Sequence, residues 1–201
     1  MNKRVFIVHG WGGHPNEGWF PWLKGCLEEK GFEVFVPQLP DTEHPRIGSW
    51  VSTLAQAVDI ADEQTYFVGH SMGCQTIARY LESLPDEMKI GGVVFVAGYF
   101  KRLTNCDETP KDKITSELWM NAPIDLQKVA SHLPKSVAIF SDDDPFVPFD
   151  NQEDFRNIFH SKIVLENSKG HLNGPEDGVM ELPSALSALL EISFKYDRRQ
   201  K

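Results

Sequence analysis

The sequence predicts a three-layer α/β/α sandwich with a mostly parallel sheet of about six strands. Strand-like and helix-like segments alternate along the 201 residues, and most of the strand-like segments are apolar throughout, as at residues 93–97. Alternation favours parallel strands joined by crossover helices, and apolar strands indicate a sheet covered on both faces. A chain of this length, with 41% hydrophobic residues, suits one domain spanning residues 1–201.

The elements of this sandwich follow from local patterns. Six segments are predicted to be strands, at residues 4–8, 32–36, 65–68, 92–97, 137–141 and 162–165. Apolar residues at helical spacing predict helices at residues 19–30, 49–62, 72–84, 126–132, 150–159 and 181–194. Gly31 is expected to stop the first helix and Ser49 to cap the second.

Residues 98–123 break the alternation. This stretch is polar and includes Asp107, Glu108 and Pro110. We interpret it as a small excursion or cap after the fourth strand, a common place for such an insertion. The basic, polar tail at 195–201 is expected to be a frayed end and not a binding site.

Composition excludes several function classes. The net charge of −9 disfavours binding to nucleic acids and to anionic membrane surfaces. No apolar run approaches a membrane span, and the N-terminal residues lack a secretory pattern. The odd, scattered cysteines, Cys26, Cys74 and Cys106, read as free thiols in a reducing compartment, so a cytoplasmic location is expected.

The pentapeptide Gly-His-Ser-Met-Gly at residues 69–73 lies between a predicted strand and a predicted helix. This arrangement is typical of the nucleophile elbow of α/β-hydrolases, in which small residues permit a tight turn that exposes the serine. Ser71 is therefore the candidate nucleophile. The alternative is that Ser71 is an ordinary helix N-cap.

Candidate partners for Ser71 follow in the chain order Ser, Asp, His that this fold uses. Asp144 comes after the fifth strand and His171 after the sixth, at the edge of a parallel sheet where sites are built. We choose Asp144 because residues 144–148 resemble the Asp-x-x-Val-Pro turn of many such hydrolases, and Asp143 is the second choice. The aspartate run lacks the other ligands of a calcium loop, so neither a metal nor a cofactor is expected.

The oxyanion of an acyl-transfer reaction needs hydrogen-bond donors. The backbone N–H groups of Met72, which follows the nucleophile, and of Trp11, in the glycine-rich loop after the first strand, are the candidates. Further candidates for the substrate pocket are His9, Gly10, His70, Trp119 and Phe146. The other histidines, His14, His44, His132 and His160, are expected at the surface, and Cys74 is expected to be a packing thiol.

Taken together, these motifs resemble the YdeN-like family of small α/β-hydrolases, relatives of retinoblastoma-binding protein 9. The resemblance rests on residues 5–13, 19–23, 37–41, 69–73, 143–148 and 170–171. It implies a compact hydrolase fold, a triad at Ser71, Asp144 and His171, and activity on simple esters. The human relative is linked to a retinoblastoma-type protein through a Leu-x-Cys-x-Glu sequence, which is absent here, so that partner is not expected.

Two functions from different classes remain. The first is a serine hydrolase that cleaves a small carboxylic ester through an acyl-enzyme intermediate. The second is a binding or regulatory module on a hydrolase fold, with weak or no turnover. A small-molecule ester is the expected partner of the first, and the sequence identifies no protein partner.

Overall fold

A computed structural model describes residues 2–174 and 176–194, so the predicted frayed tail lies outside the described residues. The six strands form one sheet in the order β2-β1-β3-β4-β5-β6, and every neighbouring pair is parallel. The strands are β1 (Arg4–Val8), β2 (Glu33–Phe35), β3 (Thr65–His70), β4 (Gly92–Val96), β5 (Ser136–Ser141) and β6 (Lys162–Glu166).

Seven α-helices accompany the sheet in the described residues. They are α1 (Phe20–Glu28), α2 (Ile47–Val58), α3 (Met72–Glu82), α4 (Pro110–Asn121), α5 (Leu126–His132), α6 (Gln152–Asn157) and α7 (Pro183–Ser193). The apolar faces of α1 and α7 share one hydrophobic core with the sheet. The buried residues of α2 to α6 share the core on the opposite face. The predicted three-layer α/β/α sandwich is therefore confirmed.

The strand order forms a crevice at the carboxyl ends of β1 and β3. The chain runs outward from β1 to β2 and then returns to β3 on the other side of β1. The loops after β1 and β3 therefore diverge at the carboxyl ends of two adjacent strands. In open α/β sheets this crevice is where ligands bind.

Helix α2 begins earlier than predicted. Arg46, which follows a proline, is extended with φ −113° and ψ 129°, and the helix starts at Ile47. The predicted cap, Ser49, therefore lies inside the first turn, and its hydroxyl donates to the carbonyl of Arg46 at 3.0 Å. The helix therefore begins two residues before its predicted start.

Helix α4 lies in the 98–123 stretch, where the sequence analysis predicted no helix. The Thr109 hydroxyl accepts from the Asp112 N–H at 3.2 Å, and the Asp112 carboxylate accepts from the Thr109 N–H at 2.9 Å. This reciprocal pair is a capping box, and Pro110 occupies the first turn. The Thr-Pro-x-Asp pattern was available in the sequence, but the helix is polar on most sides and its periodicity is weak.

The expectation that His132 lies at the surface is wrong. Its side chain is fully buried at the end of α5, and its Nδ1 lies 2.8 Å from the carbonyl oxygen of Met88. Within the described part of the chain, no helix combines the length and hydrophobicity that a membrane crossing needs.

Candidate active site

Ser71 occupies a strained turn between β3 and α3. Its backbone has φ 51° and ψ −120°, a conformation that an L-residue adopts only when the surroundings impose it. The surroundings do so through two hydrogen bonds: the Ser71 N–H donates to Val96 at 2.8 Å, and its carbonyl accepts from Cys74 at 2.9 Å. The hydroxyl does not cap α3, so the N-cap alternative does not describe this side chain.

Close packing explains why the first and last residues of the pentapeptide are glycines. A Cβ on Gly73 would lie 2.2 Å from the carbonyl oxygen of Val8, and one on Gly69 would lie 2.7 Å from Ile77. Both distances are far below van der Waals contact. Gly10 packs against the turn from the β1 loop, where a Cβ would meet the Ser71 Cβ at 3.1 Å. The elbow therefore fits closely between β1 and α3.

His171 is oriented by Asp144. The His171 Nδ1 lies 2.8 Å from Asp144 Oδ2, and because a carboxylate can only accept, Nδ1 carries the hydrogen. The other carboxylate oxygen, Oδ1, accepts from the N–H groups of Phe146 and Val147 at 2.8 and 2.9 Å. The Asp144 side chain is only 2% exposed. With Nδ1 protonated, the Nε2 of a neutral His171 is free to accept a proton.

The last residue of β5 and the three residues after it hold four consecutive residues of the loop after β6. Besides the Asp144–His171 pair, Asp142 accepts from the Ser168 N–H at 2.8 Å and Asp143 accepts from the Gly170 N–H at 2.8 Å. The Ser141 hydroxyl accepts from the Lys169 N–H at 3.1 Å and donates to Asp143 at 2.7 Å. We call this set, residues 141–144 against 168–171, the loop clamp. Sequence reasoning missed it.

Within the loop clamp, Asp143 and Asp144 have different hydrogen-bond partners. The hydrogen bonds from Ser141 and the Gly170 N–H lower the pKa of the Asp143 carboxyl, so it stays ionised at neutral pH. Its observed partners are Ser141 and Gly170, while His171 pairs with Asp144. Asp143 therefore holds the backbone before the histidine, and Asp144 holds the imidazole.

The side chain of His70 packs under the loop that carries His171 and bonds to its backbone. Its Nε2 lies 2.9 Å from the carbonyl oxygen of His171, and burial together with the neighbouring His171 lowers the pKa of His70 to about 3. His70 is therefore neutral at physiological pH and donates from Nε2. The indole of Trp19 donates to the next carbonyl, that of Leu172, at 2.9 Å. Two buried side chains thus hold the carbonyls of His171 and of the residue after it.

Two of the pocket candidates lie in the core instead. His9 is completely buried, with Nδ1 3.0 Å from the Gly10 carbonyl oxygen and Nε2 accepting from the Leu39 N–H at 3.1 Å. Burial lowers the pKa of His9, so it is a neutral brace for the glycine-rich loop. Trp119 is also completely buried, and its indole donates to Pro45 at 3.0 Å. Aromatic composition alone did not reveal which tryptophans face a cavity.

The other candidates border two cavities that meet at Ser71. The first, of about 260 Å³, is lined by Ser71, Met72, Phe146 and His171, among others. The second, of about 310 Å³, includes Gly10, Trp11, His70, Ser71 and His171 in its wall. Ser71 and His171 belong to both. The structure therefore brings the candidate nucleophile and base to one junction, with room on either side.

Two backbone donors are available beside Ser71. Among the described residues, neither the Met72 N–H nor the Trp11 N–H has a hydrogen-bond acceptor. Both residues line the first cavity with Ser71. Met72 also begins α3, whose N-terminus favours negative charge. The N–H groups that the sequence analysis selected thus have no acceptor within the described chain.

Cys74 is a packing thiol in this structure. It is completely buried, its Sγ lies 3.2 Å from the Gly69 carbonyl oxygen, and burial raises the pKa of the thiol. A neutral, enclosed thiol is a poor nucleophile.

Comparison with known proteins identifies the family to which the chain belongs. Residues 5–191 match the protein family described as Serine hydrolase. The chain is 30% identical over 198 residues to YdeN of Bacillus subtilis, covering 98% of this chain and all of the relative. It is 25% identical over 176 residues to the serine hydrolase RBBP9 of Rattus norvegicus, covering 86% and 89% of the two chains.

Solved structures resemble the fold. The crystal structure of the ydeN gene product from B. subtilis superposes with a TM-score of 0.85 over 95% of this chain and 98% of that one. Est1E from Butyrivibrio proteoclasticus, 14% identical, superposes with a TM-score of 0.70 over 95% and 88%. The first match agrees with the sequence relationship, and the second shows the shared fold.

Proposed function

The chain belongs to the serine hydrolase family and is a hydrolase, and we propose that it cleaves small carboxylic esters with Ser71 as nucleophile. His171 is the general base and Asp144 holds its imidazole. The observation that carries this proposal is the pairing of His171 Nδ1 with a buried carboxylate, in a cavity shared with a serine whose hydroxyl is not used as a helix cap.

The proposed reaction has two halves. His171 Nε2 takes the Ser71 hydroxyl proton while Oγ bonds to the ester carbonyl carbon. The tetrahedral intermediate then expels the alcohol, which receives the proton from His171. Water repeats the sequence on the acyl-enzyme, releases the acid and restores Ser71. Asp144 remains ionised throughout and stabilises the imidazolium.

The oxyanion of each intermediate would accept hydrogen bonds from the Met72 and Trp11 N–H groups. These donors are supported by their lack of another acceptor in the described chain and by their place beside Ser71 in the cavity wall. Removing a single donor of this kind typically costs about 2.7–4 kcal/mol of barrier. The tight packing of Gly10 against Ser71 would keep the Trp11 donor at a fixed height above the nucleophile.

The cavities favour a small substrate. The first cavity, about 260 Å³, is slightly smaller than typical ligand pockets, which run from about 300 to 1,000 Å³. It fits a short acyl group and not a long fatty chain. The neighbouring cavity of about 310 Å³ would take the alcohol. We therefore expect short p-nitrophenyl esters to be better substrates than long ones.

A fluorophosphonate probe tests the nucleophile directly, because it labels only an activated serine. We expect labelling of the wild-type protein and none of Ser71→Ala, followed by turnover of p-nitrophenyl acetate to octanoate with a maximum at short chains. Ser184→Ala is a matched control, since that hydroxyl is buried in α7 and has no partner among the described residues. Absence of labelling in a folded wild-type protein would contradict the proposal and favour a binding module.

A further inference from the structure

The 98–123 stretch is hydrogen-bonded to the turn that follows β5. The Thr104 N–H donates to the carbonyl of Phe146 at 2.9 Å. The Thr104 hydroxyl donates to the carbonyl of Pro145 at 2.8 Å and lies 3.3 Å from that of Phe146. The side-chain amide of Asn105 donates to the same Pro145 carbonyl at 2.9 Å. Two neighbouring residues therefore direct three donor groups at two consecutive carbonyls.

Those two carbonyls belong to the peptide units whose N–H groups hold Asp144. The unit that joins Pro145 to Phe146 has its oxygen bonded to the 98–123 stretch and its N–H bonded to Asp144 Oδ1 at 2.8 Å. The unit that joins Phe146 to Val147 is held in the same way, with its N–H 2.9 Å from Oδ1. Because a peptide unit is planar and rigid, each one links a donor of the stretch to the carboxylate that orients the candidate base.

A peptide unit that is bonded at both its oxygen and its N–H is fixed in orientation and polarised. Hydrogen bonds in a chain strengthen one another, so a donor at the carbonyl oxygen makes the N–H a better donor to the carboxylate. The Asp144 side chain is only 2% exposed, whereas Thr104 is partly buried and Asn105 is exposed. The stretch therefore supports an interior carboxylate from the outside.

Thr104 acts at a distance from the cavity. It is not among the residues that line the cavity beside Ser71, although its neighbours Leu103 and Asn105 are. An effect of the Thr104 hydroxyl on the reaction would therefore have to pass through the peptide units that it holds.

We propose that Thr104, together with Asn105, is a positioning residue that orients Asp144 toward His171 through these two peptide units. This inference rests on the proposed esterase function and adds that the 98–123 stretch supports the triad besides forming cavity wall. The two residues keep both N–H groups directed at Oδ1, so that Oδ2 faces the imidazole.

Substitutions of the two donors test the proposal. Thr104→Val keeps the branched shape and removes the hydroxyl, and we expect kcat for p-nitrophenyl acetate to fall about threefold to tenfold, the value of one hydrogen bond. KM should stay unchanged, because the residue does not line the cavity. Thr104→Ser is the matched control, since it keeps the hydroxyl and should restore kcat.

Asn105→Gly removes the second donor to the Pro145 carbonyl. Glycine accepts the left-handed backbone of this position, where φ is 53°, so the fold should be kept. We expect a loss of kcat similar to that of Thr104→Val. Circular dichroism would check both variants, and if Thr104→Val does not fold, Asn105→Gly carries the test.

A second background separates positioning of Asp144 from general support of the fold. The rate constant of labelling by a fluorophosphonate would be measured for the wild type, Thr104→Val, Asp144→Asn and the double variant. A residue that acts through the carboxylate has nothing to orient once the carboxylate is gone. Thr104→Val should therefore slow labelling of the wild type and not of Asp144→Asn, whereas a loss of packing would slow both.

Results that would overturn the proposal are distinguishable from failure of the esterase function. Wild-type kcat in both Thr104→Val and Asn105→Gly would show that water replaces these donors without loss. A loss in Thr104→Ser as large as in Thr104→Val, or equal slowing of labelling in the two backgrounds, would leave Thr104 with a structural role only. If the folded wild type is neither labelled nor active on any ester, the esterase function fails and this inference fails with it.

Discussion

Replacing Asp144 with asparagine tests how the structure controls the state of His171. The substitution keeps the shape of the side chain and removes its charge. Asparagine has one acceptor oxygen and one donor nitrogen. The N–H groups of Phe146 and Val147 both point at Oδ1, so the amide oxygen must take that position. The NH₂ group is then forced to face His171 Nδ1.

An NH₂ group facing Nδ1 reverses the histidine tautomer. Nδ1 must accept, so the hydrogen moves to Nε2, which can no longer take the proton of Ser71. In the serine protease triad the equivalent change lowers kcat about 10⁴-fold, which corresponds to about 5 kcal/mol of barrier. We expect a loss of this size here, because the two N–H donors leave the amide only one orientation.

Asp143→Asn is the matched control for this experiment. Its Oδ1 accepts from Ser141 and from Gly170, and an amide oxygen can keep both bonds. We expect kcat for a short p-nitrophenyl ester to stay within about tenfold of wild type, since the bonds lose only their charge assistance. Both variants should keep the wild-type circular dichroism spectrum. A folded Asp144→Asn protein with kcat within tenfold of wild type would refute the tautomer argument.

Three further predictions concern the support of the site. Trp19→Phe and Trp50→Phe should each lower the free energy of unfolding by about 1–3 kcal/mol, because each removes a buried indole donor; urea titration would measure this. Only Trp19→Phe should also lower kcat, because only its hydrogen-bond partner, Leu172, is next to His171 in the chain. Equal kcat values for the two variants would contradict this expectation. The pKa of His70 is lowered to about 3 in the folded protein. As pH falls below 6.5, this histidine is therefore protonated in the unfolded state but not in the folded state. The free energy of unfolding should therefore drop by up to about 1.4 kcal/mol per pH unit between pH 6.5 and 4.5. His70→Asn should reduce that slope in denaturant titrations, and an unchanged slope would mean that other groups cause it. Gly73→Ala should yield little folded protein by gel filtration, because its Cβ would lie 2.2 Å from a β1 carbonyl oxygen; wild-type yield and thermal midpoint would contradict the packing argument.

Almost the whole sheet could be predicted from the sequence, because the pattern of apolar residues marks the strands. Strands buried on both faces are continuous apolar runs, so β3, β4 and β5 were found to within about two residues at each end. Fixed chain order and local turn motifs mark Ser71, Asp144 and His171 as candidates, and the structure pairs His171 with Asp144 in a cavity wall shared with Ser71. In contrast, the position of Trp119 depends on how the 98–123 stretch packs against the rest of the chain, which no local pattern records.

The loop clamp shows what a sequence could not have revealed. Three of its hydrogen bonds join residues 26 to 28 positions apart, and their donors are backbone N–H groups, which leave no mark on the sequence. The aspartate run at 142–144 was visible, but its meaning depends on the parallel pairing of β5 with β6. Only that pairing brings the two loops side by side with matching directions.

The loop clamp also explains how His171, the candidate base, is held in place although it lies on a loop. The β6 loop contains two non-glycine residues with positive φ, Ser168 at 51° and Leu172 at 55°, which is a strained path for the chain. Asp142 and Asp143 oppose that strain by accepting from backbone N–H groups before the histidine. After the histidine, the Trp19 indole donates to the carbonyl of Leu172. The position of His171 is therefore set by its neighbours and not by Asp144 alone. Asp144 is left to fix the tautomer of His171, which in the proposed mechanism is the task of the triad carboxylate.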